Sequence, residues 1–341
     1  MNKREQPAFA GCSLRTVGMI ERVGSLKSAV IGIGSNSVRM LIAQVQGDTG
    51  TRLLREREGT RLFAGLDAEK RLQRDAMDTT VRSVTKMAEI ARNDGAGEIL
   101  LFATSATRDA SNQDELRAML LESAGLELHV CSGEEEASLS FIGATGEGYC
   151  GVIDIGGGST EIVCGEGPSL ACAFSCQLGA VRLFREIPVP KTPVPPAVVE
   201  GIVERADQIL SQKLAQLPPF EMPKTWYGTG GTFTTLGAMV LGVPWTDRTN
   251  MHGTRLPLER VEQELAILSS MSVEDRLQLP GLQPNRADII VHGISILVAC
   301  MRRLSIPEIT VSEFGNLDGF MKKHYQLRTL QSMPLAVDVV S

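Results

Sequence analysis

Short apolar runs alternate with amphipathic segments over most of the 341 residues, and this alternation predicts an α/β fold. A β-rich run over residues 28–45, a polar turn and a second strand near residues 51–55 predict a hairpin. Residues 69–93 carry apolar side chains three and four positions apart, which predicts an amphipathic helix. This half continues with predicted strands at residues 98–103 and 126–131 and predicted helices at residues 113–123, with Asn112 as N-cap, and 134–142.

The second half of the chain repeats this order of elements. Its predicted strands are residues 150–155, 161–165, 170–174, 224–227 and 308–311. Its predicted helices are residues 198–214, 232–241, 258–271 and 286–304. The repetition predicts two similar α/β domains around a cleft, at residues 27–148 and 149–314, after an N-terminal tail at residues 1–26.

Each half begins with an apolar run that ends in a glycine-rich turn. The two turns read Ala29-Val-Ile-Gly-Ile-Gly-Ser-Asn-Ser-Val-Arg39 and Gly151-Val-Ile-Asp-Ile-Gly-Gly-Gly-Ser-Thr-Glu161. A strand that ends in Gly and Ser presents backbone N–H groups with no Cβ in the way, and such a concavity binds phosphate oxygens. A third copy, Trp226-Tyr-Gly-Thr-Gly-Gly-Thr232, leads into an apolar helical segment. Three such turns indicate an enzyme that handles phosphate, with the first two turns facing each other across the cleft.

Composition narrows the classes of partner. Aromatic residues make up only 4% of the chain, so stacking platforms for single-stranded nucleic acid are not expected. The net charge of −6 also argues against nucleic-acid binding, and a polyanionic substrate needs a local cluster of basic groups. No stretch of 18 apolar residues predicts a membrane span. Seven cysteines without a C-x-x-C pair and four histidines without metal-ligand spacing predict neither a disulfide framework nor a zinc site, and the cytoplasm is the default location.

Two acidic residues near the second turn are candidates for metal chemistry. Asp154 lies two residues before Gly156 at the end of an apolar strand. A carboxylate there can hold Mg²⁺ against phosphates cradled by the turn, and the alternative is a residue that only caps the turn. Glu161 is a second candidate for the metal ligand, and the alternative is that it is an ordinary strand residue that faces solvent.

The segment Cys131-Ser-Gly-Glu-Glu-Glu-Ala137 places three carboxylates at a predicted helix start. Capping against the helix macrodipole explains one or two of them. A general base for attack of water on phosphate must be a carboxylate held at the cleft, and this strand-to-helix junction is such a place. The residues alone do not separate Glu134, Glu135 and Glu136.

Several isolated arginines are candidate anion contacts. Arg108, in Thr104-Ser-Ala-Thr-Arg-Asp109, follows a strand and can grip a phosphate bidentately. Thr60-Arg-Leu62, Val181-Arg-Leu183 and Arg286-Ala-Asp288 supply others. Each alone is more often a surface ion pair, but together they can supply the positive field that the net charge does not.

Taken together, these motifs resemble those of the exopolyphosphatase / guanosine pentaphosphate phosphohydrolase (Ppx/GppA) family, a branch of the fold shared by actin, sugar kinases and heat-shock chaperones. The likeness runs from about residue 29 to residue 320. The motifs that carry it are Gly34-Ser-Asn-Ser-Val-Arg39, Thr60-Arg-Leu62, Ala103-Thr-Ser-Ala-Thr-Arg-Asp-Ala110, Ser132-Gly-Glu-Glu-Glu-Ala137, Asp154-Ile-Gly-Gly-Gly-Ser-Thr-Glu161, Leu178-Gly-Ala-Val-Arg-Leu183, Gly228-Thr-Gly-Gly-Thr232 and Arg286-Ala-Asp288.

The resemblance implies two actin-like, ribonuclease H-like domains around a central cleft, of the short type without further C-terminal domains. A last helix at about residues 315–330 is expected to return to the first domain. The family pattern Ser-Gly-x-Glu-Glu-Ala places the catalytic base at Glu135. A divalent cation, Mg²⁺ or another, and a homodimer are also implied.

The resemblance also assigns the phosphate contacts. A phosphate-gripping arginine maps onto Arg108, and Asp154 is the expected metal ligand. The two phosphate loops map onto Gly34, Ser35, Asn36 and Ser37 and onto Gly156, Gly157, Gly158 and Ser159. Further candidates within the matching motifs are Arg39, Arg61, Glu161, Gly230, Gly231 and Arg286.

Two positions depart from the family pattern. The family usually has Asp-x-Gly-Ser-Asn-Ser in the first loop, and this chain has Gly32 in place of that Asp. The missing carboxylate is expected near the metal and the attacking water. The segment Ser312-Glu-Phe-Gly-Asn-Leu-Asp-Gly319 stands where the family tends to have Ser-Asp-x-Gly-x-Arg-x-Gly, so the basic residue of that pattern is also absent.

The leading hypothesis is hydrolysis of terminal phosphoanhydride bonds, with processive release of orthophosphate from inorganic polyphosphate. Guanosine pentaphosphate (pppGpp), cleaved at its 5′ end, is the alternative substrate, although nothing in the sequence identifies a guanine pocket. A kinase of the same fold is a second hypothesis. It stays open because Gly228-Thr-Gly-Gly-Thr232 sits where such folds bind adenosine. The third hypothesis is a low-turnover homologue that binds polyphosphate or an alarmone, because Gly32 replaces the Asp of the family pattern.

Overall fold

The computed structural model describes residues 24–145 and 148–332, without the side chains of residues 248 and 249. The first half contains β1 Leu26–Ile33, β2 Ser37–Gln46, β3 Thr49–Gly59, α1 Arg74–Asn93, β4 Glu98–Ala103, α2 Ser105–Asp109, α3 Gln113–Ala124, β5 Leu128–Val130 and α4 Gly133–Ala144. The second half contains β6 Cys150–Ile155, β7 Thr160–Glu166, β8 Ser169–Cys176, α5 Ala180–Glu186, α6 Pro196–Leu214, β9 Trp226–Thr229, α7 Gly231–Leu241, α8 Arg248–Met251, β10 Arg255–Pro257, α9 Leu258–Ser269, α10 Val273–Arg276, α11 Ile290–Arg303 and β11 Glu308–Val311. The chain then forms α12 Asn316–Tyr325 and β12 Thr329–Ser332, and two 3₁₀ turns lie at Leu62–Gly65 and Pro284–Arg286.

The strands form two six-stranded sheets of related topology. The first sheet has the order β12-β3-β2-β1-β4-β5, and the second has the order β10-β11-β9-β6-β7-β8. In the first sheet, β1, β2 and β3 are an antiparallel meander, and β4 and β5 add to β1 in parallel. In the second, β6, β7 and β8 form the meander, and β9 and β11 add to β6 in parallel. The repeated topology confirms the predicted α/β fold with two actin-like halves.

Helices cover both faces of each sheet. Apolar side chains of α1 and α3 pack on one face of the first sheet, and α12 packs on the other. The second sheet is covered by α6 and α11 on one face and by α4 on the other. Apart from its two C-terminal arginines, α11 is buried over its whole length, as expected for a helix that is apolar on every side.

Several local predictions differ from the structure, including the last helix expected at about residues 315–330, which ends at Tyr325 and is followed by β12. Asn112 stands at the N-cap position of α3, but its side-chain oxygen accepts from the Leu72 N–H (2.8 Å) and its amide donates to the Leu72 carbonyl (3.1 Å), so it fastens α3 to the segment before α1 rather than capping the helix. The strand predicted at residues 126–131 is only Leu128–Val130. The helix predicted to begin at Arg286 begins at Ile290, because the 3₁₀ turn over Pro284–Arg286 precedes it.

The chain crosses between the two halves twice, and both connections run through one crossing of helices. The first connection leaves α4 for β6, and the second leaves β11 for α12, which packs on the first sheet as the resemblance implied. At the crossing of α4 and α12 the backbones touch: a Cβ at Gly143 would overlap the Gly315 carbonyl, and one at Gly319 would overlap the Leu139 carbonyl. Glycine is therefore required for this close approach.

Within residues 24–145 and 148–332, we find no helix with an apolar stretch long enough to cross a bilayer.

Candidate active site

A cavity of about 430 Å³ lies between the two sheets, at the ends of β1 and β6. Most of the residues expected from the sequence line it. Those residues are Gly34, Ser35, Asn36, Ser37, Arg39, Asp154, Gly156, Gly157, Ser159, Gly230, Gly231 and Arg286. The structure therefore brings the three glycine-rich turns together in one cleft.

The first phosphate loop is the tight turn between β1 and β2. The Gly34 N–H donates to the Ser37 carbonyl at 3.0 Å. The Asn36 carbonyl accepts from the N–H groups of Thr60 and Arg61, which follow β3. Ser35 Oγ shares a hydrogen bond of 2.8 Å with Ser105 Oγ. The Asn36 side-chain NH₂ is buried and has no hydrogen-bond partner among the described residues, so it is a donor available to an anionic oxygen in the cleft.

The second phosphate loop, between β6 and β7, is closed in the same way by the Gly156 N–H and the Ser159 carbonyl (2.9 Å). Its tip approaches the first loop so closely that side chains are excluded. A Cβ at Gly157 would lie 3.0 Å from Ser35 Cβ, and one at Gly158 would lie 2.5 Å from Ser105 Oγ. The glycines are needed for this contact between the halves.

The third glycine turn leads from β9 into the N-terminus of α7. Gly230 has φ +93°, and a Cβ there would lie 2.6 Å from Asp154 Oδ1. A Cβ at Gly231 would overlap the Arg286 guanidinium. The turn therefore packs the helix N-terminus against Asp154 and Arg286, and such an N-terminus favours anions.

Three buried carboxylates lie near the two loops. Asp154 Oδ2 accepts from Ser140 Oγ at 2.6 Å, Glu136 Oε2 accepts from Arg108 Nη1 at 2.9 Å, and Glu161 Oε1 accepts from Ser175 Oγ at 2.7 Å. Burial raises the pKa of each carboxyl, and the charge of Asp154 adds to the rise at Glu136. The pKa of Glu161 is raised furthest, by burial and then by the charges of Glu136 and Asp154.

These carboxylates fit a divalent cation. Burial raises their pKa values, so a bound cation would favour their charged forms, and carboxylate oxygens are the ligands that Mg²⁺ prefers. Asp154 and Glu136 line the cavity, whereas Glu161 lies behind them as the cross-strand partner of Asp154.

The structure places the residue expected as the base outside the cleft. Glu135 faces away from the cleft: its Oε2 is 2.8 Å from His129 Nε2, and its Oε1 is 3.6 Å from Lys323 Nζ. The next residue, Glu136, lines the cavity and is 5% exposed. The reason is helical geometry, because residues 136 and 140 are four apart on the same face of α4, and Ser140 contacts Asp154.

Four other candidate site residues do not line the cavity. Arg108 donates to Glu136 and to the Cys131 carbonyl (3.1 Å), so it holds a carboxylate rather than facing the cleft. Arg61 is half exposed and pairs with Asp288 at 3.0 Å. Glu161 is buried behind Asp154, and Gly158 packs against the first half of the molecule.

Sequence reasoning missed several residues of the cleft. Arg55 and Arg57 line it from β3, and their spacing of two on one strand was the available signal. With Arg39 and Arg286 they place four guanidinium groups along the cavity. Burial, and then the nearby charge of Arg39, lowers the pKa of Arg286 to about 10. Trp245 also lines the cavity, from the loop after α7, where no sequence pattern marks it.

Two opposed phosphate loops, a helix N-terminus and a row of arginines define a two-domain protein of the actin-like class with a cleft suited to phosphate groups. The Ppx/GppA phosphatase family matches residues 41–326. The chain is 35% identical over 312 residues to Exopolyphosphatase 2 of Mycobacterium tuberculosis, with 85% of this chain and 96% of that protein covered.

Solved structures agree with this match. The structure of an exopolyphosphatase-like protein has a TM-score of 0.80 at 26% identity and covers 88% of this chain and 98% of that one. The PPX-GPPA enzyme of Aquifex aeolicus has a TM-score of 0.73 at 27% identity, with 88% and 99% covered. The chain belongs to the Ppx/GppA phosphatase family.

Proposed function

We propose that this protein is an exopolyphosphatase, a hydrolase that releases orthophosphate from the end of inorganic polyphosphate. The observation that carries the proposal is Glu136, a buried carboxylate with a raised pKa that lines the cleft beside both phosphate loops. The relative with 35% identity is named an exopolyphosphatase, and it matches over 85% of this chain.

Backbone N–H groups of the two loops bind the terminal phosphoryl group. Donors of Ser35, Asn36 and Gly157 face the cleft from opposite sides, so charge that develops on the phosphoryl oxygens is stabilised by preorganised dipoles. The guanidinium groups of Arg55 and Arg57, on the same wall, bind the phosphates further along the chain. The expected partner of these arginines is therefore a phosphate chain and not a nucleic acid.

Glu136 acts as the general base that takes a proton from the attacking water. Its raised pKa brings it closer to the working pH of a base than an ordinary carboxylate, and its ion pair with Arg108 fixes its orientation. Arg108 is thus a positioning residue, because it acts through Glu136.

Mg²⁺ or another divalent cation would be held by Asp154, with Glu161 behind it. When bound, such a cation would neutralise part of the negative charge of the phosphates and the carboxylates. Asp154 is oriented for this by the hydrogen bond from Ser140.

The test compares two neighbouring glutamates. Glu136→Gln is expected to lower kcat for phosphate release from long-chain polyphosphate by about 10²–10⁴-fold, since a general base contributes that much. Glu135→Gln is the matched control and is expected to stay within a few fold of wild type. The acidic limb of the kcat/KM profile should also disappear in Glu136→Gln. Equal losses in both variants, or none in Glu136→Gln, would contradict the assignment.

The second candidate is hydrolysis of guanosine pentaphosphate, and one observation favours it. Trp245 is an aromatic side chain in the lining of the cleft and offers a surface on which a base can stack. If pppGpp is the substrate, Trp245→Ala raises its KM while leaving the KM of polyphosphate unchanged. If polyphosphate is the substrate, polyphosphates of several lengths compete with pppGpp and Trp245→Ala has little effect on either.

The homodimer implied by the resemblance and the cytoplasmic location taken as the default from the sequence both stay predictions. Light scattering tests the first, with twice the chain mass of 36.8 kDa as the expected result.

A further inference from the structure

A second group of potential ligands lies outside the cleft, at the N-terminal end of α4. His129 comes from β5, Cys131 follows that strand, and Glu135 is in the first turn of the helix. One ligand atom from each of these side chains lies within 4.8 Å of the other two. The spacing His-x-Cys-x₃-Glu matches none of the zinc patterns considered from the sequence, so only the fold brings the three together.

We propose that His129, Cys131 and Glu135 form a binding site for a zinc-class divalent ion, separate from the catalytic cleft. Imidazole nitrogen, thiolate sulfur and carboxylate oxygen are the three ligand types that Zn²⁺ takes in proteins. Tetrahedral bonds of the usual lengths would put the ligand atoms roughly 3.4–3.8 Å apart. Side-chain adjustment of about 1 Å therefore closes the trio around an ion.

Access and ligand position also suit a metal. His129 is a third exposed, so an ion can arrive from solvent, and water can complete the coordination. Glu135 Oε2 lies 2.8 Å from His129 Nε2, so an ion that binds here replaces the hydrogen bond between these two ligand atoms. The side chain of Cys131 is fully buried and forms the floor of the site.

Proton balance defines the binding step. Burial acts to raise the pKa of Glu135, but the hydrogen bond to His129 and the charges of His129 and Lys323 outweigh it, so this group binds as a carboxylate. Burial raises the pKa of the Cys131 thiol, which is therefore protonated before the ion arrives. Binding forms a metal–sulfur bond and releases the thiol proton to solvent.

One cation opposes the site. Lys323 Nζ is 3.6 Å from Glu135 Oε1, and an ion at the trio would be repelled by this ammonium group. The Lys323 side chain is 44% exposed, so it can turn towards solvent when the ion binds. Replacing Lys323 by Gln should therefore tighten metal binding.

The experiment titrates the full-length protein with Co²⁺ and then Zn²⁺ in excess Mg²⁺, which occupies the cleft carboxylates. Wild type is expected to show thiolate-to-cobalt charge-transfer absorption that Zn²⁺ bleaches. Calorimetry in buffers of different ionisation enthalpy should show that Zn²⁺ binding releases protons. Cys131→Ala should abolish the absorption, and His129→Ala should weaken Zn²⁺ binding at least tenfold. Lys323→Gln should bind Zn²⁺ several-fold more tightly than wild type.

Controls separate this site from general thiol and carboxylate binding. Cys300→Ala, which removes a buried thiol of the second half, and Glu134→Gln should both leave Co²⁺ and Zn²⁺ binding unchanged. If Cys131→Ala does not fold, as judged by circular dichroism, His129→Gln at the partly exposed position gives the same test. A charge-transfer band that survives in Cys131→Ala, or Zn²⁺ affinity unchanged in both His129 variants, would overturn the proposal.

Discussion

The two phosphate loops are closed by the same backbone hydrogen bond but differ in the charge of the residues around them. Each is closed by a hydrogen bond from its first glycine to the serine three residues on, at 3.0 Å in the first loop and 2.9 Å in the second. Two residues before that glycine, however, the first half has Gly32 and the second has Asp154. Both loops form the cradle for phosphate, whereas only the second loop is preceded by a carboxylate at this position.

The difference extends to the neighbouring strand. Gly32 is the register partner of Arg39 between β1 and β2, and Asp154 is the register partner of Glu161 between β6 and β7. Corresponding positions are thus basic in one hairpin and acidic in the other. A cleft with one wall of each sign can hold a phosphate chain together with a cation.

Gly32 faces an apolar contact rather than the cleft. A Cβ there would lie 3.0 Å from the Phe102 ring and 3.3 Å from Leu317. Leu317 is the position at which the family pattern has Arg, so the two departures from that pattern are neighbours in space. The pair Gly32 and Leu317 replaces a combination of Asp and Arg without leaving a buried charge unpaired.

The loops also differ in their tips. The first carries the side chains of Ser35 and Asn36, and the second carries only Gly157 and Gly158. Ser35 fills the space that a Cβ of either glycine would need, with its Oγ 2.7 Å from the position of a Cβ at Gly158. Where two copies of one loop meet, only one of them can keep its side chains.

The largest expected effect comes from removing the acid that only the second loop has. Asp154→Asn should lower kcat for polyphosphate hydrolysis by about 10²–10³-fold, because charge stabilisation at the phosphoryl group is lost. Ser140→Ala keeps the carboxylate and loses only its hydrogen bond, so its loss should be much smaller. The measurement is phosphate release under saturating Mg²⁺. More than a tenth of wild-type activity in Asp154→Asn would show that the halves share the acidic role.

Making the first loop acidic should harm the protein. Gly32→Asp is expected to lower the free energy of unfolding by about 1–3 kcal/mol, because its side chain would be crowded against Phe102 and Leu317. Activity is not expected to rise. Denaturant unfolding measures the effect, and Gly32→Ala, which adds only the Cβ, is the control.

The double variant Gly32→Asp/Leu317→Arg sharpens this test. A guanidinium group at position 317 should recover at least half of the lost stability by pairing with the new carboxylate. Higher activity in Gly32→Asp alone would instead support a low-turnover binding protein that lacks its first-loop acid.

A side chain at the tip of the second loop should also be costly. Gly158→Ala should destabilise by about 1–3 kcal/mol, because its Cβ would lie 2.5 Å from Ser105 Oγ and 2.7 Å from Ser35 Oγ. Gly201→Ala, in α6 with open space around it, should change stability in the opposite direction by about 0.5–1 kcal/mol. Thermal unfolding of both variants gives the comparison, and a neutral Gly158→Ala would contradict the close approach of the loops.

The smallest expected effect concerns the pH dependence of stability. Burial, and then the charges of Glu136 and Asp154, raises the pKa of Glu161. A carboxyl with a raised pKa contributes stability that is present below its unfolded pKa and is lost as pH rises through its folded pKa. Glu161→Gln should therefore stabilise the metal-free protein by at least about 1 kcal/mol at pH 8, and the gain should vanish towards pH 4.

Urea unfolding in EDTA at several pH values measures the gain from Glu161→Gln. Glu166→Gln, at the exposed end of the same strand, is the control and should show no gain. A gain at pH 4 as large as that at pH 8 would mean that the carboxylate charge is not its source.

The sequence was informative where the pattern is local. Strands β4, β6 and β11 have the predicted boundaries, because polar residues or glycines delimit short apolar runs. Strands β10 and β12 have three and four residues at sheet edges and depend on their partners, so no pattern marked them. The glycine loops were located for the same local reason.

The candidate site divides in the same way. Backbone turns were recognisable from Gly34 and Gly156, whereas side-chain roles depend on tertiary contacts. Glu135 and Glu136 are adjacent in one acidic run, and only the packing of α4 against the second sheet decides which faces the cleft. Arg57 required the register of β3, and Trp245 required the path of a loop.

The glycine contact between α4 and α12 has a mechanical consequence. Because both connections between the halves leave from these two helices, a rotation of one half against the other would be centred near their crossing. Backbone lies against backbone there, so no bulky side chain has to be compressed as the angle changes. Glu136 on α4 and Asn316 on α12 belong to the two crossing helices, so such a rotation would move them less than loops far from the crossing.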